Sequence, residues 1–256
     1  MLVWTFAIAL LVSSYATAAP KNMALELKSD PTSFFAAPDN PAFHQKLGNT
    51  FTAEAWIFPT DFAGERMIVN KEDTYEFAVR NDGHFETALA AAGQGWDWHS
   101  SGLKVEKDKW SHVAITWDGK VVLMFVNGKK AGGKKDIAGK GLKITGSTFK
   151  VGRRERGGAT HSIFDGLIDE VRLSKGLRYT KDFTPQNGAF EPDADTMALY
   201  HFDEVAGKTI KDFSPNGVDG QLEGKARLVA SDAPTVQAVE ARDKLATIWG
   251  KLKTTR

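Results

Sequence analysis

The most distinctive group of aromatic and polar side chains in this sequence is the tetrapeptide Trp-Asp-Trp-His at residues 96–99. Indole rings can stack on the apolar face of a sugar, while neighbouring polar groups fix its orientation through hydrogen bonds. Alternation along an extended segment would place Trp96 and Trp98 on one face and Asp97 and His99 on the other. The competing interpretation is a strand whose tryptophans fill the core, because tryptophan is largely buried on average. We take Trp96, Trp98 and His99 as candidate ligand contacts.

A basic run at residues 153–156, Arg-Arg-Glu-Arg, is the second candidate for ligand binding. Its guanidinium groups could bind an anionic glycan, although a charged run of this kind is more often a solvated loop. We include Arg153 among the candidate contacts.

Carboxylates at Asp30 and Asp169 could contribute to a calcium site, since Ca²⁺ prefers oxygen ligands. Asp30 lies in a predicted turn, and Asp169 precedes Glu170 in a strand-like segment. A structural role competes with this hypothesis. In that role Asp169 would accept hydrogen bonds from backbone amides, and Glu170 would pair with Arg172 or Arg178. We favour the structural role but keep Asp30 and Asp169 as the candidate Ca²⁺ ligands.

The turn-rich segment at residues 212–220, DFSPNGVDG, offers a further set of oxygen atoms on Asp212, Asn216 and Asp219. This segment lacks the alternating carboxylates of an EF-hand loop. Asx-turns, in which these side chains bond to nearby backbone amides, are the interpretation we prefer.

The sequence contains no catalytic motif that we recognise. Its six histidines are not spaced as a metal triad, cysteine is absent, and neither H-E-x-x-H nor G-x-S-x-G occurs. We therefore expect a protein that binds rather than catalyses. A glycan hydrolase or lyase built from carboxylates far apart in the chain is the alternative.

Strands must position these side chains, and residues 110–130, WSHVAITWDGKVVLMFVNGKK, carry the strongest strand pattern. Asp118-Gly119 and Asn127-Gly128 are Asx-Gly pairs, which suit type I′ hairpin turns. Residues 121–126 are apolar at every position, which predicts a strand in the middle of a sandwich, covered on both faces. Many more short strand-like runs, separated by turns, follow the same pattern. The sequence thus predicts an all-β, antiparallel two-sheet sandwich.

The order of the strand motifs resembles that of LamG-like jelly-roll domains in the concanavalin A-like lectin/glucanase superfamily. The motifs are FTAEAWIFP, WSHVAITWDG with FVNGK, FKVGR, FDGLIDEVRL, and ALYHFDE with DFSPNGVDG. The resemblance covers residues 24–229 and implies a jelly roll of two curved sheets in which the first and last strands are adjacent. It also implies binding of glycans or proteins at the rim or concave face, in some relatives with calcium.

The chain departs from that family at two places. Relatives often carry an Asp-rich turn after the first strand, whereas residues 28–32 hold a single carboxylate, Asp30. Glucanase relatives carry a Glu-x-Asp-x-(x)-Glu strand, because retaining glycosidases need two carboxylates about 5 Å apart. The nearest match here has Leu167 at the first Glu position and Val171 or Arg172 at the last. That catalytic pair cannot be assembled on this strand.

The beginning of the chain is typical of an export signal. Residues 2–12 form an apolar run, and Ala16-Thr17-Ala18 provides a small-x-small cleavage pattern. We predict a signal peptide over residues 1–18 and a LamG-like sandwich over residues 19–230, with a buried N-terminal strand as the alternative to the signal peptide. Export would place the protein in the periplasm, at the cell surface or outside the cell.

The end of the chain carries the one helical pattern. Within residues 231–256, apolar side chains recur at intervals of three and four, including Leu245, Ile248, Trp249 and Leu252. The sequence predicts a short C-terminal helical tail whose apolar stripe contacts a partner protein, a membrane surface or the sandwich itself.

We therefore predict an exported, non-catalytic module that recognises carbohydrate or an extracellular or envelope protein at one rim of the sandwich. The net charge of +1, from 33 basic and 32 acidic residues, argues against a nucleic-acid partner. Two close carboxylates in a concave cleft would favour the enzyme instead. Buried tryptophans at 96 and 98, without a pocket, would favour a structural envelope or adhesion protein without a small ligand.

Overall fold

The computed structural model describes residues 22–44, 50–91, 95–132, 135–137, 141–204 and 206–234. The predicted signal peptide and the part of the predicted tail beyond residue 234 lie outside these residues. The described part of the chain forms nineteen strands and a 3₁₀ helix, Pro41–Phe43. It contains no helix long and apolar enough to span a bilayer.

The strands are short and follow one another with brief connections. They are β1 Met23–Lys28, β2 Phe34–Ala37, β3 Phe51–Pro59, β4 Arg66–Lys71, β5 Tyr75–Val79, β6 His84–Leu89, β7 Trp98–Lys104, β8 Ser111–Trp117, β9 Val121–Val126, β10 Lys129–Lys130, β11 Lys135–Asp136, β12 Phe149–Val151, β13 Arg154–Arg156, β14 Ala159–His161, β15 Asp165–Lys175, β16 Thr196–Tyr200, β17 Thr209–Ile210, β18 Gly220–Glu223 and β19 Arg227–Ala230.

The strands form two large sheets whose pairings are antiparallel, and a separate hairpin. The first sheet has nine strands, in the order β10-β9-β8-β3-β15-β1-β19, with β11 beside β9 and β16 beside β15. The second has eight, in the order β17-β18-β2-β12-β4-β5-β6-β7, and β13 pairs with β14 alone. Strands β1 and β19 are neighbours, as the family resemblance implies. The predicted all-β, antiparallel two-sheet sandwich is confirmed.

Alternation of side chains explains where the core lies. On β3, Ala55 and Ile57 are fully buried in the main core, and on β8 Val113, Ile115 and Trp117 join them. The intervening residues of each strand point to the outer face of the first sheet, because successive side chains leave a strand on opposite sides. The core therefore occupies the space between the sheets.

One of the two predicted type I′ turns is confirmed and the other is wrong. Asn127 and Gly128, between β9 and β10, have φ of 50° and 74°, as a type I′ turn requires. Between β8 and β9 the loop is one residue longer, and Gly119 has a positive φ of 87° whereas Asp118 does not. The Asp118 carboxylate instead accepts bonds from the amides of Lys120 and Val121, which closes this longer loop.

The prediction that β9 lies in the middle of the sandwich is wrong in position. Strand β9 is close to one edge of the first sheet, next to the short strands β10 and β11. Its Phe125 is nevertheless fully buried, because Tyr179 and Phe183 cover it from outside, with the Phe183 ring centroid 5.5 Å away. Those rings belong to the connection between β15 and β16, which covers this part of the outer face.

That connection also buries an ionic network that the sequence did not predict. Glu54 on β3 is inaccessible to solvent and accepts hydrogen bonds from Arg172 at 2.8 Å and Tyr179 at 2.7 Å. The ring of His112 lies 3.0 Å from the same carboxylate. Burial opposes ionisation of Glu54, but these partners outweigh it and lower its pKa to about 2. The first sheet thus presents no open polar face at this position.

Candidate functional site

The outer face of the second sheet carries the polar side chains that the core excludes. On β5, Phe77 and Val79 point into the core, so Glu76 and Ala78 point outward. On β6 the same alternation places Glu86 and Ala88 outward, since these residues pair with Ala78 and Glu76. This face is the candidate site because the predicted tryptophans lie at its edge.

Trp96 and Trp98 are brought together at this edge. Trp98 begins β7 and pairs with the outward-facing Ala88, so its ring lies on the outer face. The two indole rings are half-buried and meet edge to face, with centroids 6.2 Å apart. The prediction that they share a face is consistent with this arrangement. The competing interpretation, in which both rings fill the core, is wrong. Both rings are half-exposed, and Trp98 lies on the outer side of β7.

A guanidinium group, that of Arg154, contacts both tryptophans. It lies 5.8 Å from the ring centroid of Trp96 and 5.6 Å from that of Trp98, within the range of cation–π attraction. Arg154 begins β13, and Gly157 and Gly158 at the tip of the hairpin both have positive φ, as a tight turn requires. The basic run that we predicted as a loop is therefore half of a hairpin.

Two carboxyl groups of the second sheet's outer face, those of Glu72 and Glu76, contact Arg154. Its Nε and Nη2 donate to the two oxygens of Glu72 at 3.1 and 3.2 Å, and Nε lies 3.2 Å from Oε2 of Glu76. The amide of Asn70 donates to both carboxyl groups, at 3.0 Å to Glu72 and 2.6 Å to Glu76. We call Asn70, Glu72, Glu76, Trp96, Trp98 and Arg154 the Arg154 cluster.

The two carboxyl groups of the cluster differ in their ionisation. Burial and a hydrogen bond to Glu72 raise the pKa of Glu76 to about 9, so it is protonated at neutral pH. Burial opposes ionisation of Glu72 as well, but the hydrogen bond from Arg154 outweighs burial and lowers its pKa. The pair therefore shares one negative charge, which matches the one positive charge of Arg154.

A second pair of acidic residues, Glu65 and Glu86, extends this face. Burial and the nearby charge of Glu65 raise the pKa of Glu86 to about 8. Glu65 accepts a hydrogen bond from Ser162, which follows β14 and so fastens the hairpin to the second sheet. Four carboxyl groups thus line the region around one central guanidinium.

Three buried polar atoms of the cluster have no hydrogen-bond partner among the described residues. They are Oδ1 of Asn70, Oε2 of Glu76 and the indole Nε1 of Trp96. Buried polar groups in native proteins are nearly always satisfied by protein or water. All three atoms are inaccessible to solvent, and Oε2 of Glu76 lies 3.2 Å from Nε of Arg154, so a ligand hydroxyl would reach them only if the cluster opens.

The other two sequence-predicted contacts lie elsewhere. His99 pairs with the inward-facing Thr87, so its ring is on the opposite side of β7 from Trp98. Arg153 turns away from the tryptophans: it donates to the carbonyl of Pro31 and to Glu155, both at 2.8 Å, and lies over the ring of Phe34. Of these two adjacent arginines, Arg154 and not Arg153 contacts the tryptophans, because their side chains point in opposite directions.

The candidate calcium ligands are not brought together. Asp30 accepts bonds from the amide and hydroxyl of Thr32 and pairs with Lys225 at 3.0 Å. These hydrogen bonds lower its pKa to about 2. The register of β1 with β15 places Asp169 at the level of Ala24, about 13 Å along β1 from Lys28, the last strand residue before Asp30. Among the described residues, no group of three or more acidic or histidine side chains is arranged to hold a metal ion.

The structural roles predicted for the remaining acidic residues are only partly correct. Asp169 accepts a bond from the amide of Glu170 at 2.8 Å, as the structural interpretation predicts. Glu170 does not pair with an arginine. It lies at a bulge in β15 with a positive φ of 52°, and its carboxylate is 2.8 Å from the ring of His201. Asp212 accepts bonds from three backbone amides, so the preferred Asx-turn interpretation of residues 212–220 agrees with the structure.

Sequence reasoning missed Asn70, Glu72 and Glu76, and it considered Arg154 only as a member of the basic run. One signal could have found part of the set: Asn70, Glu72 and Glu76 stand close together around a predicted turn. Nothing in the sequence connects them with Arg154, which reaches them through the pairing of sheets rather than through local spacing.

The two-sheet jelly roll and its polar outer face define the class of protein, and the sequence match agrees with it. Residues 31–181, more than half of the chain, match the laminin G-type family of the concanavalin A-like lectin/glucanases superfamily. The chain belongs to this superfamily. A search of curated proteins gave no match.

Solved structures share the fold at low sequence identity. A proposed carbohydrate binding protein from Bacteroides ovatus ATCC 8483 is 20% identical, with a TM-score of 0.67 over 85% of this chain. This chain spans 62% of the length of that protein.

Looser likenesses include the CBM40 domain of the Ruminococcus gnavus IT-sialidase bound to α2,3-sialyllactose. It is 15% identical with a TM-score of 0.45, over 58% of this chain and 89% of that one. Domains LG4-5 of the mouse laminin α1 chain are 14% identical with a TM-score of 0.45, over 65% of this chain and 45% of that one.

Proposed function

We propose that the chain is an exported, non-catalytic module that binds carbohydrate at the Arg154 cluster. The observation that carries the proposal is the pair of half-buried indole rings, Trp96 and Trp98, fixed by one guanidinium beside carboxyl and amide groups. The ring faces would give apolar contact to a sugar, and the polar groups would bind its hydroxyls. The Bacteroides ovatus structure supports this proposal, since it is described as a proposed carbohydrate binding protein.

The rigidity of the cluster also favours recognition. Arg154 makes a two-point contact with Glu72, and charge-assisted contacts of this geometry are stronger than neutral hydrogen bonds. Aromatic side chains held in place lose little conformational entropy when a ligand binds. His99 and Arg153, the other two predicted ligand contacts, lie away from the two rings, so the proposed site at the Arg154 cluster does not use them.

A glycan hydrolase is the second candidate, because one observation favours it. Glu72 and Glu76 are two carboxyl groups in contact on one sheet face, and Glu76 is protonated at neutral pH, as a general acid must be. Against this role, Glu76 is inaccessible to solvent and Arg154 lies against both carboxyl groups. A catalytic acid must reach the glycosidic oxygen, so we favour binding.

A structural role without a small ligand is the third candidate. Buried tryptophans would favour it, but Trp96 and Trp98 are half-exposed.

Export rests on the apolar run at the start of the sequence, and a surface glycan or an envelope protein is the partner that such a location would offer. Detection of an intact Met1 in the mature protein would contradict export.

A glycan array, run with and without EDTA, tests the proposed function. We expect binding to a restricted set of glycans, loss of that binding in Trp98→Ala, and little effect of EDTA on binding or on the melting temperature. A matched control is Trp110→Ala, which alters a partly exposed tryptophan directly before β8 and away from the cluster. Retention of binding in Trp98→Ala would contradict the site, and release of reducing sugar from any bound glycan would favour the hydrolase.

A further inference from the structure

We infer that the glycan bound at the Arg154 cluster is uncharged, and that the site discriminates against sialic acids, uronic acids and sulfated sugars. This inference rests on the proposed function. It concerns the charge of the ligand, and it follows from the pairing of the basic groups around the cluster with acidic side chains of the protein itself.

Arg154 has no free charge to offer an anionic sugar. Both oxygens of Glu72 bind its guanidinium, and Oε2 of Glu76 lies 3.2 Å from Nε. An acidic ligand would have to displace Glu72 from a two-point contact, leaving that carboxylate without its partner. Removing one partner from a largely buried ion pair is strongly unfavourable.

The neighbouring basic groups are occupied as well. Arg153 and Lys150 contact Glu155, at 2.8 and 3.9 Å. Arg80 contacts Asp82 at 3.6 Å, and Arg156 lies 4.0 Å from Glu72. Each of these four cations therefore already has an acidic partner.

Acidic groups outnumber the basic group at the centre of the face. Glu65 and Glu72 carry the negative charge near Arg154, while burial and nearby like charge raise the pKa of Glu76 and Glu86 and keep them protonated at neutral pH. Glu72 already neutralises the charge of Arg154, and a ligand carboxylate placed here would be repelled by Glu65 and Glu72. A neutral sugar would not.

Two unpartnered atoms of the cluster are inaccessible to solvent in this structure, so they would select a ligand only where the cluster opens to admit it. Oδ1 of Asn70 can only accept, and the indole nitrogen of Trp96 can only donate. A hydroxyl group satisfies either atom, whereas a carboxylate or a sulfate can satisfy the indole alone. The hydroxyls of a neutral sugar fit both requirements.

Matched pairs of glycans test the inference with the whole chain. The probes are lactose against sialyllactose, and oligogalactose against oligogalacturonate, measured by isothermal titration at neutral pH. In whichever pair shows binding, we expect the neutral glycan to bind at least tenfold more tightly than its acidic counterpart. Tighter binding of the acidic member, or equal binding of both, would overturn the inference and leave the proposed function intact. If neither these probes nor a full glycan array gives binding, the proposed function fails and the inference fails with it.

A charge variant provides the second arm. Glu72→Gln removes the central negative charge and frees Arg154, so we expect the acidic probe to gain several-fold in affinity relative to the neutral probe. Glu106→Gln, on an exposed loop, is the control and should leave the ratio unchanged. Should Glu72→Gln fail to fold, Glu65→Gln tests the same charge effect from the rim of the cluster. An unchanged ratio in folded Glu72→Gln would contradict the inference.

Discussion

The guanidinium of Arg154 lies 3.2 Å from a carboxyl oxygen of Glu76 that solvent cannot reach. The contact joins the small β13–β14 hairpin to the middle of the second sheet. It places a positive charge next to a carboxyl group that burial keeps protonated, and the same guanidinium lies 5.8 and 5.6 Å from the ring centroids of Trp96 and Trp98.

Replacing Trp98 should separate recognition from packing. Trp98→Ala removes a half-exposed ring on the outer face, so we expect glycan binding to fall at least tenfold while the free energy of unfolding falls by only about 1–2 kcal/mol. Trp117→Ala is the contrasting variant, since Trp117 is fully buried in the main core. Its loss should cost about 3–5 kcal/mol. Urea denaturation of both proteins measures the difference, and equal losses would show that Trp98 is a core residue.

Removing the charge of Arg154 should destabilise the protein in a pH-dependent way. Arg154→Met leaves Glu72 without its partner, so we expect a loss of about 2–4 kcal/mol at pH 8. The loss should be smaller at pH 5, where Glu72 can take up a proton more readily once Arg154 is absent. Arg156→Met is the control: its side chain is 65% exposed and should change stability by less than about 0.5 kcal/mol. A loss that does not vary with pH would show that Arg154 acts through packing.

Stability should decrease between pH 5 and pH 9 because of Glu76 and Glu86. Their pKa values are raised, to about 9 and about 8, so the folded protein holds protons that the unfolded chain releases above the ordinary value of 4.5. Their contribution is complete below pH 4.5 and is lost as the pH rises through 8 and 9. One such group gives a slope of at most about 1.4 kcal/mol per pH unit.

Chemical denaturation across this pH range, with Glu76→Gln for comparison, measures the effect. The variant cannot ionise, so its stability should depend less on pH than that of the parent chain. Glu54 has a pKa lowered to about 2, so its contribution to the free energy of unfolding has the opposite pH dependence. That contribution is complete above pH 4.5 and is lost as the pH falls towards 2. A parent protein more stable at pH 9 than at pH 6 would contradict the assignment of raised pKa values.

The boundary of the C-terminal tail can be tested by truncation. Ala233 is fully buried and the carbonyl of Pro234 accepts a bond from Gly188, so the sandwich uses residues 231–234. We expect deletion of residues 235–256 to leave the melting temperature nearly unchanged while weakening attachment to a partner or surface. Deletion from residue 231 should lower it by several degrees. Unfolding of the shorter deletion would show that the predicted helix belongs to the core.

Local pattern was enough to identify the fold. The period of two in residues 51–58 and 111–117 reveals which side chains face the core, because alternation depends only on the extended backbone. The positive φ of Asn127 and Gly128 could be predicted for the same reason, since a turn is chosen by its own residues. The loop at Asp118 was mispredicted because its length, and not its Asx-Gly pair, sets its geometry.

The site could be predicted only in part. The sequence by itself determined that Trp96 and Trp98 would share a face, because side chains two residues apart on an extended chain point to the same side. Only the tertiary structure decided that Arg154 rather than Arg153 meets them, and that Glu72, Glu76 and Asn70 lie beneath. Those contacts join segments far apart in the chain, and the pairing of β4 with β5 and β12 brings them together. The ionisation of Glu76 was likewise beyond the sequence, because burial and a neighbouring carboxyl group, not residue type, set its pKa.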